Sequence, residues 1–457
     1  MRRLSVAKKL GYATGQFGWS LSTFGVSNLL AYFYLPAETE GEVLSLFISQ
    51  HYILGVMTLL GIIAFSGRFF DAITDPWIAN LSDRFKGPLD RRRFFMLISA
   101  LPMALFGFLV FYPPVDGVSQ WNALWLALML FGYFLAFTAY TVPYTALLSE
   151  LTEQPEERIG LATWIAVAWA GGFILGNSVY AIQAAFEQWG MSSLEAFQWS
   201  ILGFSLISLV LTLVPVFALR TRDLVVQTQS DLPLLMSLKS ILADLNFRRF
   251  IIADLLYWVA LTFVQVGFAY YVLVLLQLER AIISLYLQVM LLSSFLYYWP
   301  INALAKRYGH RPLLVFAFAL FCLVFLLNAS LGYWPIPPFY QGLSVALLAG
   351  LPLAIFAILP NALIADAAAA DAMHTGQARA AMFFAVRNFM MKLGISLANF
   401  LFPSILLLGK SIDQDLGIRL AAMAAFGFCL IGLSLMWHYR DPTGHFDHEP
   451  AKSVLKD

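Results

Sequence analysis

Gly67-Arg68-Phe69-Phe70-Asp71-Ala72-Ile73-Thr74-Asp75-Pro76 sets one arginine and two aspartates at the end of a long apolar run. Positions 68, 71 and 75 are spaced i, i+3, i+7, so on a helix they share one face. A charge at the centre of a bilayer costs roughly 2.5–3.5 kcal/mol on insertion scales. Three charges on one stripe therefore call for partners, water or a bound ion. An ion or proton pathway is the reading these residues favour. The plainer reading is a buried ion-pair network with no transport chemistry, but ionisable groups inside a membrane are usually functional.

Outward from that stretch, the composition is that of a polytopic membrane protein. The chain has 457 residues, 60% hydrophobic and 12% charged, against about 25% charged in soluble domains. Its mean hydropathy is +0.75. A spanning helix takes about 20 apolar residues. Twelve such runs are centred near Gly25, Leu59, Leu101, Leu130, Ala168, Ser205, Phe263, Leu292, Ala319, Leu353, Leu393 and Gly427. Of the 28 Lys and Arg residues, 22 fall on the side that holds both termini. Only Arg280, Lys410 and Arg419 fall on the other side, while Arg68, Arg387 and Lys392 lie within apolar runs. The positive-inside rule then places both termini in the cytoplasm. The two cysteines, Cys322 and Cys429, sit in apolar runs and read as packing residues. No cleavable signal peptide is expected at the start of the chain.

The polar stretch Arg220–Arg249 divides the chain into six spans and six spans. The expected organisation is a first six-helix bundle over 1–219, a cytoplasmic linker over 220–249, a second bundle over 250–438 and a cytoplasmic tail over 439–457. Apolar spacing in Leu232–Leu242 predicts a short amphipathic helix in the linker. Asp83-Arg84-Phe85-Lys86-Gly87 after the second span returns as Lys306-Arg307-Tyr308-Gly309 after the eighth. Either loop alone reads as a positive-inside anchor. Their repetition at matching places in the two halves favours the plan of the major facilitator superfamily, two parallel six-helix halves around a midplane site.

Five stretches, the opening one among them, carry a family resemblance. They are Gly11-Tyr12 to Gly18, Gly67-Arg68 through Asp75-Pro76, Thr138 to Leu147, Ile364-Ala365-Asp366 with Thr375-Gly376-Gln377 and Arg379, and Phe389 through Lys392-Leu393-Gly394. In that order the chain resembles the glycoside-pentoside-hexuronide:cation symporters, the sodium-melibiose type. The resemblance implies an all-α fold of 12 transmembrane helices in two pseudo-symmetric six-helix bundles. It also implies a cation site with Asp71 and Asp75 as carboxylate ligands, Thr138 as a hydroxyl ligand and Thr74 where other members have asparagine. Na⁺, H⁺ or Li⁺ would suit these hard oxygens. Lys392 would face the site from the second half, with Arg68 holding the stripe together.

The departures from the family pattern bear on substrate. Ser20 and Thr141 stand where sugar-binding members carry acids, Thr145 where they carry tryptophan, and Ala166 where they carry arginine. A pocket with fewer fixed carboxylates suits a hexuronide, or a lysophospholipid as in a related branch. Trp19 and Tyr144 are candidates for stacking on substrate, with ordinary packing as the competing reading. Asp83, Arg84, Arg307, Asp366 and Arg379 are expected at a cytoplasmic gate. Arg387 is expected to face a neighbouring helix or the cytoplasmic end. With no nucleotide loop, metalloprotease motif or CxxC pair, the chain is read as a carrier and not an enzyme. It is expected to need no cofactor beyond the coupling ion, to bind no nucleic acid, and to act as a monomer in a bacterial inner membrane.

Overall fold

A computed structural model describes residues 5–38, 46–53, 57–85, 90–151, 155–219, 243–375 and 380–440. Among them twelve long helices run back and forth: α1 (Val6–Tyr34), α2 (Leu59–Arg84), α3 (Arg91–Leu109), α4 (Gln120–Leu151), α5 (Pro155–Asn177), α6 (Ser193–Ala218), α7 (Leu245–Tyr270), α8 (Ala281–Tyr308), α9 (His310–Ala329), α10 (Pro338–Thr375), α11 (Ala380–Leu406) and α12 (Leu416–Trp437). A short helix, Val179–Gln188, continues α5, and a π-helical turn, Tyr271–Leu275, continues α7. Ten of these segments are long and apolar enough to cross a membrane by length and composition. The other two are α1 and α2. The first carries Gln16, Ser20, Ser27 and Asn28 in its buried face, and the second carries the charged stripe.

The second span lies further along the chain than its apolar run suggests. Its centre was expected near Leu59, but Thr58 caps the helix there, its hydroxyl accepting from the Gly61 N–H. A two-stranded hairpin, β1 (Tyr52–Ile53) paired with β2 (Met57–Thr58), takes up the preceding residues. Arg68, Asp71 and Asp75 therefore sit in the middle of α2, not at its end. Similarly, α7 starts at Leu245, inside the stretch expected to be linker. The predicted amphipathic helix at Leu232–Leu242 lies outside the described residues.

Helix pairing in the first six helices returns in the last six with every label shifted by six. α1 packs on α5 and α6, as α7 packs on α11 and α12; α2 packs on α4 as α8 on α10; α3 packs on α4 and α6 as α9 on α10 and α12. Glycine makes two of the equivalent contacts possible. A Cβ on Gly172 of α5 would stand 2.6 Å from the Phe17 carbonyl oxygen of α1, and one on Gly394 of α11 would stand 2.7 Å from the Leu255 carbonyl oxygen of α7.

Between the halves, α2 packs along α11. Other bridging bonds lie at the end opposite the chain termini. The Tyr270 hydroxyl donates to the carbonyls of Ala31 (3.1 Å) and Leu35 (2.6 Å). Ser284 donates to the Asn177 carbonyl (2.6 Å), and Gln288 to Ser178 (3.0 Å). Arg280 pairs with Glu187. Lys410 donates to the Pro36 carbonyl (2.8 Å) and pairs with Glu38 (3.3 Å). Arg280 and Lys410, two of the three basic residues assigned to this end, thus join one half to the other. Toward the termini the seam parts. On the α2-facing stripe of α11, Ser396 and Pro403 are buried, Lys392 is partly buried, and Asn388 and Ala385 are exposed.

Candidate functional site

The seam opens at the level of the α2 stripe. Asp71 is fully buried, whereas the Asp75 side chain, one turn nearer the termini, is 33% exposed. Lys392 reaches across from α11 and touches both. Its Nζ lies 2.7 Å from Asp75 Oδ2, to which it donates, and 3.1 Å from Asp71 Oδ2. Thr138 of α4 donates to Asp71 Oδ1 (2.5 Å). Thr74 donates to the Asp71 carbonyl (3.1 Å) and stands 3.5 Å from the Thr138 hydroxyl. Arg68, also buried, lies 3.5 Å from Asp71 Oδ2. Its guanidinium sits over the rings of Phe134 and Phe137, which adds a cation–π attraction in a dry setting. The structure therefore gathers Arg68, Asp71, Thr74, Asp75, Thr138 and Lys392 into one cluster.

Chain chemistry helps place them. Pro76 has no N–H, so the Ala72 carbonyl is released from its helical bond beside the two aspartates. Two positive and two negative charges cancel, which limits the desolvation cost of the cluster. Its bonding capacity is incompletely used. Asp75 Oδ1 and the Nε and Nη1 of Arg68 are buried without a hydrogen-bond partner. Leaving such a group unsatisfied costs about 1–3 kcal/mol. Carboxylate and hydroxyl oxygens with spare lone pairs fit a hard cation or a proton.

The expected substrate positions are arranged differently. Ser20 is buried between α1 and α5, its hydroxyl bonded to the Phe17 carbonyl (3.0 Å) and the Trp169 carbonyl (3.4 Å). Thr141 donates to the Phe137 carbonyl (2.9 Å), and Thr145 to that of Thr141 (2.9 Å). Thr145 and Ala166 are exposed. Tyr144 stacks face to face on Tyr12 at 4.5 Å, and each phenol donates to the other's carbonyl (2.7 and 2.8 Å). In this conformation that pair ties α1 to α4 and leaves Tyr144 no face for a substrate. Trp19 is partly buried, edge-on to Phe137 at 5.7 Å, and its indole N–H lacks a partner. Of these residues, Trp19 is the one next to the charged cluster, through the ring that Arg68 covers.

At the expected gate, Asp366 of α10 pairs with His310 of α9 (3.2 Å), both in the second half. Arg307 is exposed, its guanidinium over the ring of Tyr308. The side chains of Asp83 and Arg84, and all of Arg379, lie outside the described residues. A second ion pair escaped the reading of the sequence. Arg387 donates from Nε and Nη2 to the two oxygens of Asp254 on α7 (3.1 and 3.3 Å), and from Nη1 to Asn361 of α10 (2.7 Å). The signal was present in the lone acid of the apolar run Phe250-Ile251-Ile252-Ala253-Asp254-Leu255-Leu256.

The architecture is that of the major facilitator transporters. The nucleoside transporter NupG superposes with a TM-score of 0.66 over 95% of this chain and 100% of its own, at 12% identity. The chain belongs to the MFS/sugar transport protein family, whose sequence model matches residues 11–415. Among curated relatives, the putative glycoside/cation symporter YagG of Escherichia coli is 32% identical over 168 residues, 36% of this chain and 32% of its own. The sodium-dependent lysophosphatidylcholine symporter 1 of Gallus gallus is 28% identical over 182 residues, 39% of this chain and 30% of its own. The similarity thus spans about a third of the length of these relatives. Together with the apolar helices, it makes this an integral membrane protein of a transporter family.

Proposed function

We propose that this protein is a cation-coupled symporter that works by alternating access and takes a glycoside or hexuronide as substrate. The observation that carries the reading is Lys392 of one half bridging Asp71 and Asp75 of the other. Lys392 acts as an internal stand-in for the coupling ion. When Na⁺ or H⁺ enters from the exposed side of Asp75, it satisfies the carboxylates and weakens their hold on the ammonium. The cluster then carries one net positive charge, and Lys392 is released toward the cleft. A substrate carboxylate restores neutrality there. Cation and substrate each raise the other's affinity, as linkage requires. The halves, no longer pinned at this point, rock about the midplane and part at the far end. Asp71, Asp75, Thr74 and Thr138 hold the ion. Lys392 couples it to the substrate, and Arg68 balances the charge when the lysine moves. Both termini face the cytoplasm of a bacterial inner membrane in this reading, and a monomer suffices.

A second reading, carriage of a lysophospholipid, is favoured by the α1 and α4 hydroxyls. Ser20, Thr141 and Thr145 are bonded to backbone carbonyls and offer a sugar little to grip. The similarity to lysophosphatidylcholine symporters points the same way. Uptake into proteoliposomes decides between the two. A labelled glucuronide and a labelled lysophosphatidylcholine are offered with and without an inward Na⁺ gradient, and again with a pH gradient. Ion-stimulated glucuronide uptake that Asp71→Asn abolishes is the expected result. Ion-stimulated transfer of the lysolipid alone moves the protein to the second reading. Uptake of neither with any ion gradient sinks the first.

A further inference from the structure

α11 is held on two opposite faces, and the two contacts differ in kind. Lys392, Ser396, Asn399 and Pro403 share the face toward α2. Arg387 and Gly394, two turns apart, share the face toward α7 of their own half. On the α2 side a flexible ammonium meets Asp75, whose side chain is 33% exposed. On the α7 side a planar guanidinium grips a carboxylate through two parallel bonds, with the Asp254 side chain 1% exposed. Such fork-to-fork pairs are geometrically specific in a way a lysine contact is not. Asn361 holds the remaining arm of the guanidinium from α10. Close to this pair, Gly394 brings the α11 backbone against the Leu255 carbonyl of α7.

Building on the symport reading, we infer that Arg387 is a positioning residue for coupling: with Asp254 and Asn361 it fastens α11 to α7 and α10. When a cation replaces Lys392 at the aspartates, the force on α11 then moves the whole second half. Without the fastening, α11 would yield alone, and ion binding would no longer be converted into rocking. Arg387 itself touches neither ion nor substrate. Its role is to make the lysine-bearing helix rigid with its half.

The test separates spacing from transport. In full-length protein lacking Cys322 and Cys429, spin labels are placed at Ile252→Cys on α7 and Phe389→Cys on α11, both exposed positions. Their distance distribution is measured in liposomes for the parent, for Arg387→Gln and for the swap Asp254→Arg with Arg387→Asp. The parent is expected to give one narrow distance, Arg387→Gln a second, longer population, and the swap a return toward one. A distribution in Arg387→Gln as narrow as the parent's overturns the inference, whatever the protein carries. In parallel, ion-driven uptake is compared with gradient-free substrate exchange per folded molecule. Loss of the anchor should cut ion-driven uptake about tenfold or more while exchange stays within about threefold, with the swap recovering a substantial part. Equal loss of both activities, unrescued by the swap, assigns the pair to folding and overturns the inference. Absence of ion-driven uptake in the parent counts against the symport reading, and the spacing measurement still decides the anchor.

Discussion

The α2 stripe and the α1–α4 wall are neighbours built on opposite principles. At the stripe, charged groups from both halves converge, and several of their buried atoms keep unused bonding capacity. Along the wall, Ser20, Thr141, Thr145 and Tyr144 have their polar atoms bonded to backbone carbonyls; Ser20 and Tyr144 reach a neighbouring helix, and the two threonines stay on their own. A site that must exchange partners needs groups with somewhere else to go, and the stripe has them. In this conformation the wall's hydroxyls are taken up by backbone carbonyls.

Removing a charge from the stripe should break that contrast most severely. Asp71→Asn leaves Arg68 and Lys392 with half their compensation in a buried setting. Breaking a buried pair by deleting one partner costs about 3–5 kcal/mol. Ion-stimulated uptake is expected to fall below one hundredth of the parent's, with a lower thermal midpoint in detergent. Full ion dependence in this variant would remove the stripe from the mechanism. Lys392→Met is milder by the same logic, because Asp75 can reach water. It should abolish coupling yet leave the ion able to bind, seen as ion protection against thermal unfolding without uptake.

Next in size comes the hydroxyl that supports Asp71. Thr138→Val keeps the volume but takes away a donor to a carboxylate, a bond worth about 1.5–3 kcal/mol. The ion concentration for half-maximal uptake should shift by about tenfold or more, while Thr138→Ser should stay close to the parent. By contrast, Thr141→Ala and Thr145→Ala delete hydroxyls that serve only their own helix. Uptake is expected to stay within about twofold for both. A tenfold loss at either position would show that the wall opens and meets the substrate in another conformation, which would erase the contrast.

Much of this was legible in the sequence because burial in a membrane makes charge conspicuous. Twelve apolar runs and three charges on one α2 face led to the fold and to the cluster, and Lys392 stood out for the same reason. The unread parts depended on rotation and partnership. Nothing local says that Ser20 points into the α1–α5 contact; that follows from Gly172 letting α5 come close enough to cover it. Asp254 and Arg387 lie 133 positions apart, and each alone is merely a charge in an apolar run. The place of the second span differs from the expected one because the apolar run extends back past Thr58 through Tyr52–Met57. The cap and hairpin that exclude them from the helix depend on backbone geometry.

The far-end seal offers the finest test of which groups are free to exchange. Lys410 lies between spans, and burial against the Pro36 carbonyl holds its ammonium below the ordinary lysine value of 10.5, an effect partly offset by the Glu38 carboxylate. A pKa depressed in the sealed form means that this form binds the proton less tightly than an opened, hydrated one. Sealing is therefore favoured as pH rises from the depressed value toward 10.5, and that advantage is lost as pH falls below the depressed value. The neutral amine still donates to Pro36, so the bond survives deprotonation. Alkylation of a cysteine placed at Ser404, corrected for its thiolate fraction, should slow over that range. Lys410→Met should flatten the pH profile. Alkylation that still quickens as pH rises after that correction would mean that attraction to Glu38 outweighs desolvation, making the seal a true ion pair like the one at Asp75.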